Sequence, residues 1–289
     1  MGYSSRYHAA SLAAVFLALA VGILIGVGLG SDVVSGTAED LERSLGADLD
    51  EARTEIGALE GELAFEREFG AAVYPAVADR RLRGRRIALI GLGGLSEEVT
   101  EDVRRALGPA GARISEVAVV REPPDLDALA STLDGRRSRG VMRGNDAMLI
   151  RLARRSARAL LKGSPEFDEL RGTLLAGYSG RPGKVDGVIV ARERPADLEQ
   201  ADEAVTGLIE DGLLAGIRST GLPAVGVERS SNEVSSVAYF ESRGLSTVDS
   251  VDLQSGRVAL VVALRGDVIG NFGVKESADG LLPDLLARD

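Results

Sequence analysis

The amino-acid sequence predicts an α/β protein in which an N-terminal transmembrane helix and a coiled coil precede a three-layer βαβ domain with a mainly parallel sheet. Three observations support this fold class: an uncharged apolar run, a heptad pattern, and an alternation of strand and helix patterns in the rest of the chain. The predicted parts are a cytoplasmic N-terminus (residues 1–8), the transmembrane helix (9–30), the coiled coil (37–69), a linker (70–84) and an extracytoplasmic domain (85–289).

The apolar run over residues 9–30 is long enough to cross a membrane. A hydrocarbon core of roughly 30 Å needs about 20 apolar residues, and this run has no charged side chain. Arg6 and His8 precede it and acids follow it from Asp32, so the positive-inside rule places the N-terminus in the cytoplasm. The alternative is a cleaved signal peptide, although such a peptide has an apolar core of only about 7–15 residues.

Small residues recur at every fourth position of the apolar run. Residues four apart lie on one helical face, so they form a groove in which another helix can approach closely. The alternative is that small residues are simply common in membrane helices. The predicted helix–helix interface comprises Ala14, Ala18, Gly22, Gly26 and Gly30.

A heptad pattern follows within residues 37–69. Its apolar positions are spaced 4, 3, 4, 3 and 4 residues apart, and charged residues flank them. Three glycines within it weaken the helix by about 1 kcal/mol each relative to alanine. We expect a homodimer, in which the seam packs on its own copy; the alternative is a lone helix packed on the outer domain. The predicted coiled-coil seam comprises Leu45, Leu49, Ala52, Ile56, Leu59 and Leu63.

The remaining chain alternates between strand and helix patterns. Gly70 and Pro75 are expected to interrupt the helix pattern, and Ser96 is expected to cap a helix that follows the first strand. The apolar run at residues 258–264 fits either a strand or a helix, and we favour the helix. Predicted strands cover residues 87–90, 113–120, 185–191 and 222–227, and predicted helices cover residues 96–107, 126–133, 146–161 and 201–220.

Composition excludes several kinds of site. The chain has no cysteine and one histidine, His8, which lies before the apolar run. Disulfides, thiolate metal sites, histidine-ligated zinc and Ser-His-Asp catalysis are therefore excluded from the outer domain. With no tryptophan and few aromatic residues, a nucleic-acid platform is not expected either. We predict no catalytic residue, no cofactor site and no enzymatic activity.

Two motifs suggest chemistry but fit structural roles better. The turn from Gly91 to Ser96 departs from the dinucleotide fingerprint at its third glycine position, which is Ser96. Asp249 and Asp252 form a carboxylate pair with no other group assembled nearby in the sequence, so we expect capping or turn roles.

Charge is divided between an acidic and a basic block. Residues 37–69 hold eleven acids against three arginines, whereas residues 136–162 hold eight arginines and one lysine against one acid. The basic helix within the second block could bind anionic lipid or an acidic partner, or present a solvated face.

Two parts of the chain carry a family resemblance. One is the N-terminal stretch from Tyr7 to Gly22; the other is C-terminal and comprises residues 246–252, 256–260, 271–275 and 281–283 with Ala278. They resemble the mycobacterial copper-transport protein family (MctB-like). The resemblance implies a cell-envelope protein of actinobacterial type, active in copper efflux or homeostasis and described as an outer-membrane channel, with copper as the transported ion.

The resemblance supplies no copper-ligand motif, so the metal ligands remain unknown. Met142 and Met148 are the only soft ligands of the outer domain, and basic residues surround them. A pore would also need a closed barrel or a helix bundle, whereas this chain shows one membrane helix. We therefore expect an accessory or oligomeric role in transport. Relatives have also been linked to cell separation, which makes a coiled-coil scaffold or regulator of cell-wall hydrolysis, bound to another envelope protein, the alternative function.

Overall fold

The computed structural model describes residues 5–133, 145–194, 199–266 and 269–283. Its contacts divide the chain into two units, residues 1–66 and residues 67–289. The helices are α1 (Ser5–Ala78), α2 (Glu97–Leu107), α3 (Leu126–Leu133), α4 (Asp146–Lys162), α5 (Glu166–Leu174), α6 (Gln200–Arg218), α7 (Val237–Glu241) and α8 (Gln254–Ala263). The strands are β1 (Arg86–Leu92), β2 (Arg113–Val120), β3 (Leu175–Gly180), β4 (Gly187–Arg192), β5 (Ala224–Val227), β6 (Ser246–Val248) and β7 (Asn271–Phe272).

The described part of the first unit is helical throughout and comprises residues 5–66 of α1. Residues Tyr7–Gly28 are long and apolar enough to cross a membrane, and none of this stretch is buried. The five large apolar side chains of the predicted seam are also between 50% and 57% exposed. Among the described residues of this unit, nothing covers this regular stripe of half-exposed side chains, so the coiled coil remains a prediction.

Helix α1 passes through the segment expected to be a linker. The prediction that Gly70 and Pro75 interrupt the helix is wrong, since α1 ends only at Ala78. Proline inside a helix removes one hydrogen bond and costs roughly 3 kcal/mol. Packing opposes that cost here: Tyr74 and Ala78 are buried in the core, and the Tyr74 hydroxyl donates a 2.5 Å hydrogen bond to the Ala106 carbonyl.

The second unit is built on one seven-stranded sheet in the order β3-β2-β1-β4-β5-β6-β7. Every neighbouring pair is parallel except β2 and β3, which are antiparallel. The mainly parallel sheet is therefore confirmed. From β1 the chain builds outward to β2 and β3 on one side and then continues from β4 on the other. In such sheets the carboxyl ends of the two central strands, here β1 and β4, flank the usual ligand crevice.

Helices cover both faces of the sheet. Along β1, Ala88 and Ile90 face a core shared with helices α3 to α6, whereas Ile87 and Leu89 face a core shared with α2, α8 and the end of α1. Strands buried on both faces read as continuous apolar runs, and for that reason β1 and β4 could be predicted from sequence. The helix favoured at residues 258–264 is confirmed over residues 258–263, which belong to α8, and Leu264 is its C-cap.

Candidate functional site at the carboxyl edge of the sheet

The turn after β1 is closed by its own side chains. Ser96 caps α2 as predicted, accepting a 3.4 Å hydrogen bond from the Val99 amide. The Ser96 hydroxyl also donates a 2.7 Å hydrogen bond to the Glu193 carboxylate, which follows β4. A Cβ at Gly94 would lie 3.1 Å from the Glu193 carbonyl oxygen. A pyrophosphate approaching this turn would meet a carboxylate, so the arrangement fits a structural turn and disfavours dinucleotide binding.

Beside this turn lies a buried ion network centred on Glu210 of α6. The Glu210 side chain is fully buried and accepts hydrogen bonds from Arg192 Nε at 2.8 Å and from Arg194 Nη2 at 2.9 Å. Arg194 also pairs with Glu203 at 2.9 Å. Two guanidinium groups at the end of β4 thus hold one carboxylate away from water. Charge-assisted hydrogen bonds of this kind are about twice as strong as neutral ones.

Glu122, which follows β2, adds a second carboxyl group to the network. Burial and, after it, the neighbouring Glu210 charge raise its pKa from 4.5 to about 7, against the opposing effect of Arg194 and Arg192. Neither Glu122 oxygen has a hydrogen-bond donor among the described residues. Two carboxyl groups so close together favour retention of one proton, and Glu122 is the group that keeps it.

Tyr239 of α7 completes the network through cation–π contacts. Its ring lies between the guanidinium groups of Arg192 and Arg243, at 3.9 Å and 3.7 Å from the ring centroid. Arg243 also pairs with Asp211 at 2.6 Å. Burial raises the pKa of the Tyr239 hydroxyl, so it stays protonated. The network can hold a proton and fix the ends of β2 and β4 against the middle of α6.

The donor set of this network does not suit copper. Cu(I) prefers sulfur ligands and Cu(II) prefers imidazole nitrogen and other N/O donors, whereas the Glu210 carboxylate is already paired with two guanidinium groups. Within the described ranges, no group of three or more His, Cys, Asp or Glu residues could hold a metal ion. Met148 packs against the core, and Met142 lies outside the described residues.

The residues predicted from sequence to mediate contact are not brought against any partner in the described structure. Ala14 and Ala18 are exposed, and a Cβ at Gly22 or Gly26 would meet nothing within 4 Å. The surroundings of Gly30 lie outside the described part. Every residue of the seam (Leu45, Leu49, Ala52, Ile56, Leu59 and Leu63) is exposed.

The paired aspartates have the turn roles expected of them. Asp249 accepts hydrogen bonds from the amides of Val274 and Lys275 at 2.8 Å and 3.0 Å. Asp252 accepts hydrogen bonds from the Ser230 amide at 2.7 Å and from its hydroxyl at 2.6 Å. Both carboxylates therefore hold loops that follow the short strands.

Sequence reasoning missed the network of Glu122, Arg192, Arg194 and Glu210. The available signal was positional, because Glu122 and the two arginines directly follow predicted strands, and the carboxyl ends of parallel strands meet at one edge. The alternating charges of Arg192 to Arg194 could have been read as a cluster at that edge. Glu210 lies on a helix predicted only from its apolar pattern.

The comparisons with known proteins agree with one another. A family model described as "Copper transport outer membrane protein, MctB" matches residues 3–283. The curated relatives include proteins named copper transporter MctB from Mycobacterium bovis and Mycobacterium tuberculosis. Each is 26% identical to this chain over 313 aligned positions, which cover 95% of this chain and 97% of the relative. The chain therefore belongs to the MctB family of copper transport outer membrane proteins.

Proposed function

We propose that this chain acts in copper transport or homeostasis at the cell envelope, as a membrane-anchored homodimer whose α/β domain is extracytoplasmic. The observation that carries the proposal is the family match, which spans residues 3–283 and so includes the apolar N-terminal segment. The relatives named as copper transporters align along almost their whole length with this chain. We therefore propose the copper transport named for these relatives for this chain, whose N-terminal apolar segment and α/β domain both lie within the matched region.

Copper is the cargo in this proposal, and the chain's part in moving it is accessory or oligomeric. A single membrane helix per chain encloses no pore. The described part of the domain contains neither cysteine nor histidine, and the buried Glu210 carboxylate at the sheet edge is paired with two arginines. Copper ligands would therefore come from an interface between copies or from another envelope protein.

The homodimer is supported by the exposed heptad seam. A partner that covers this apolar stripe removes its surface from water, which stabilises the complex by roughly 25 cal/mol for each Å² buried. A second copy carries the same stripe. In a parallel, in-register pair each seam residue therefore packs against the same residue of the other copy. The small-residue face from Ala14 to Gly26 allows close helix approach in the membrane segment as well.

Cellular copper is the direct test of the transport role. In a deletion strain we expect altered cell copper, measured by inductively coupled plasma mass spectrometry, and altered survival in copper-containing medium. The wild-type chain on a plasmid should restore both. Unchanged copper content together with unchanged copper sensitivity would contradict the proposal, whatever the oligomeric state of the chain.

Cysteine crosslinking tests the seam, because the chain has no cysteine of its own. The variants Leu49→Cys and Ile56→Cys should form disulfide-linked dimers in membranes. Thr54→Cys, at an outward position of the same heptads, is the matched control and should crosslink weakly. Equal crosslinking at all three positions would refute a parallel seam. Capture of a different protein would instead identify a partner of the seam.

Topology can be tested with the same cysteine variants. With residues 31 onward outside the cytoplasm, a membrane-impermeant maleimide should label Thr54→Cys in intact cells. A cysteine at Ser5 should be labelled only after the membrane is opened. The reverse pattern would overturn the orientation inferred from Arg6 and the acids that follow the apolar run.

The alternative function, a scaffold or regulator of cell-wall hydrolysis, stays an untested prediction. The family description and the names of the relatives speak of copper transport and add nothing in its favour. Deletion of residues 37–69 would test it, because a scaffold working through the coiled coil should then fail to separate daughter cells. Normal cell-chain morphology would contradict it.

A further inference from the structure

A cleft of about 390 Å³ opens at the end of the sheet opposite to the ion network. It is bounded by the first residues of β1 and β2 and by the turn that joins β3 to β4. Four cationic side chains line it: Arg86, Arg113, Arg181 and Lys184. No acid contributes to its lining. A volume of this size lies within the range of small-ligand sites, roughly 300–1,000 Å³.

The cationic groups of the cleft are mostly without counter-charges. Arg86 is 3.7 Å from the Asp186 carboxylate, and this carboxylate also accepts a 2.8 Å hydrogen bond from the Arg86 amide. Among the residues that the structure describes, no carboxylate forms an ion pair with Arg113, Arg181 or Lys184. Like charges gathered in one concavity repel each other, and an anion bound between them relieves that repulsion.

The close approach of β3 to β2 beside the cleft depends on Gly180. Gly180 has φ +105°, a conformation that side-chain-bearing residues rarely adopt, and a Cβ there would collide with the Ser115 carbonyl oxygen. Gly183 lies beside it in the same lining. Gly180 lets the end of β3 approach β2 closely, and the turn that follows carries Arg181 and Lys184 to the edge where Arg86 and Arg113 begin their strands.

We infer that this basic cleft binds a phosphate group, either free or as the phosphodiester of a lipid headgroup. Guanidinium groups present paired N–H donors that match phosphate oxygens, and a lysine adds a mobile point charge. Three arginines and one lysine around a space of about 390 Å³ suit a multiply charged oxyanion with room for an attached group. The site is separate from the copper role and does not depend on it.

Calorimetry on the detergent-solubilised full chain tests the inference with two probes. Inorganic phosphate represents the free ion, and sn-glycero-3-phosphoglycerol represents a lipid headgroup. Binding of both probes, or of inorganic phosphate alone, supports the cleft as a phosphate site that takes the free ion. Binding of glycerophosphoglycerol alone supports the headgroup as the source. Absence of heat from both probes at low ionic strength overturns the inference.

Variants locate the binding. The double variant Arg113→Ala/Arg181→Ala should weaken binding by about tenfold or more for each guanidinium removed. The matched control is Arg151→Ala/Arg158→Ala, which removes two exposed arginines from α4 and should leave binding unchanged. Equal weakening in both double variants would overturn the inference, because binding would then follow net charge alone. The single variant Arg181→Ala, in an exposed turn, gives a second reading if the double variant fails to fold.

Discussion

Replacement of the buried Glu210 by alanine should destabilise the α/β domain far more than replacement of its exposed neighbour in the network. Glu210 is fully buried and receives hydrogen bonds from Arg192 and Arg194, whereas Glu203 pairs with Arg194 from a side chain that is 57% exposed. Both variants remove one carboxylate of the same kind from the same helix. Glu203→Ala is therefore the matched control for Glu210→Ala.

The expected magnitudes follow from burial. Breaking a buried ion pair by removing one partner costs about 3–5 kcal/mol, because the other charge is left uncompensated. Arg192 and Arg194 retain some access to water, and Glu122 is close enough to replace part of the missing charge, so we expect the lower end of that range. The exposed pair of Glu203 should contribute only about 0.2–1 kcal/mol.

The same variant should change how stability depends on pH. In the wild type the folded-state pKa of Glu122 is raised to about 7, so this group's contribution to stability falls as pH rises from about 4.5 to about 7. Removal of Glu210 takes away the charge that, after burial, raises the Glu122 pKa, while the two arginines still lower that pKa, so this loss becomes smaller. The destabilisation caused by Glu210→Ala should then be larger at pH 5 than at pH 8.

Urea unfolding of the detergent-solubilised chain, followed by tyrosine fluorescence and circular dichroism, measures these differences. The free energy of unfolding should be compared for wild type, Glu210→Ala and Glu203→Ala at pH 5 and at pH 8. Equal losses for the two variants would refute the importance of burial. A loss for Glu210→Ala that does not change between the two pH values would refute its coupling to Glu122.

Three further predictions concern packing and ionisation in the second unit. Gly212→Ala should destabilise the domain by about 1–3 kcal/mol, because the new Cβ would lie 2.7 Å from the Ala153 Cβ on α4. Gly207→Ala on the same helix adds a Cβ that meets nothing within 4 Å, so it should stabilise the domain by about 0.5–1 kcal/mol. Thermal unfolding followed by circular dichroism checks the sign of both changes. Burial raises the pKa of Glu116 from 4.5 to about 7, so Glu116→Gln should match wild type in stability near pH 4 and exceed it by about 2 kcal/mol at pH 8 in urea unfolding, while the exposed Glu241→Gln should show no such difference. Tyr74→Phe should cost about 1–2 kcal/mol by leaving the Ala106 carbonyl without its donor, measured as a lower urea midpoint at unchanged slope.

Elements with strong local patterns could be predicted from sequence. The four apolar residues from Ile87 to Ile90 lie in a strand buried on both faces, and Ser96 followed by two glutamates marks a helix start. The apolar run at residues 258–264 fits a strand as well as a helix, and the favoured helix is observed over residues 258–263. In each case the signal lies within about a dozen residues.

Elements that depend on distant contacts could not be predicted. Strands β6 and β7 are three and two residues long, and only pairing within the sheet defines them. Helix α1 continues past Pro75 because Tyr74 and Ala78 pack in the core, which no local pattern reveals. The ion network joins Glu122 to Glu210 across 88 positions of sequence, so its residues look like ordinary surface charges when taken one at a time.

The carboxyl edge of the sheet is closed by hydrogen bonds and ion pairs, so a ligand site is more readily formed on other surfaces. A doubly wound sheet usually binds its ligand where the strand order reverses, but here Glu193 closes the turn and Glu210 holds both nearby arginines. A ligand at this place would have to break ion pairs that are already desolvated. Because one fold can host many functions, the function of this domain has to be sought in its particular sites. The exposed seam of the first unit and the basic cleft of the second are open to solvent, so binding by this family member should be sought there first.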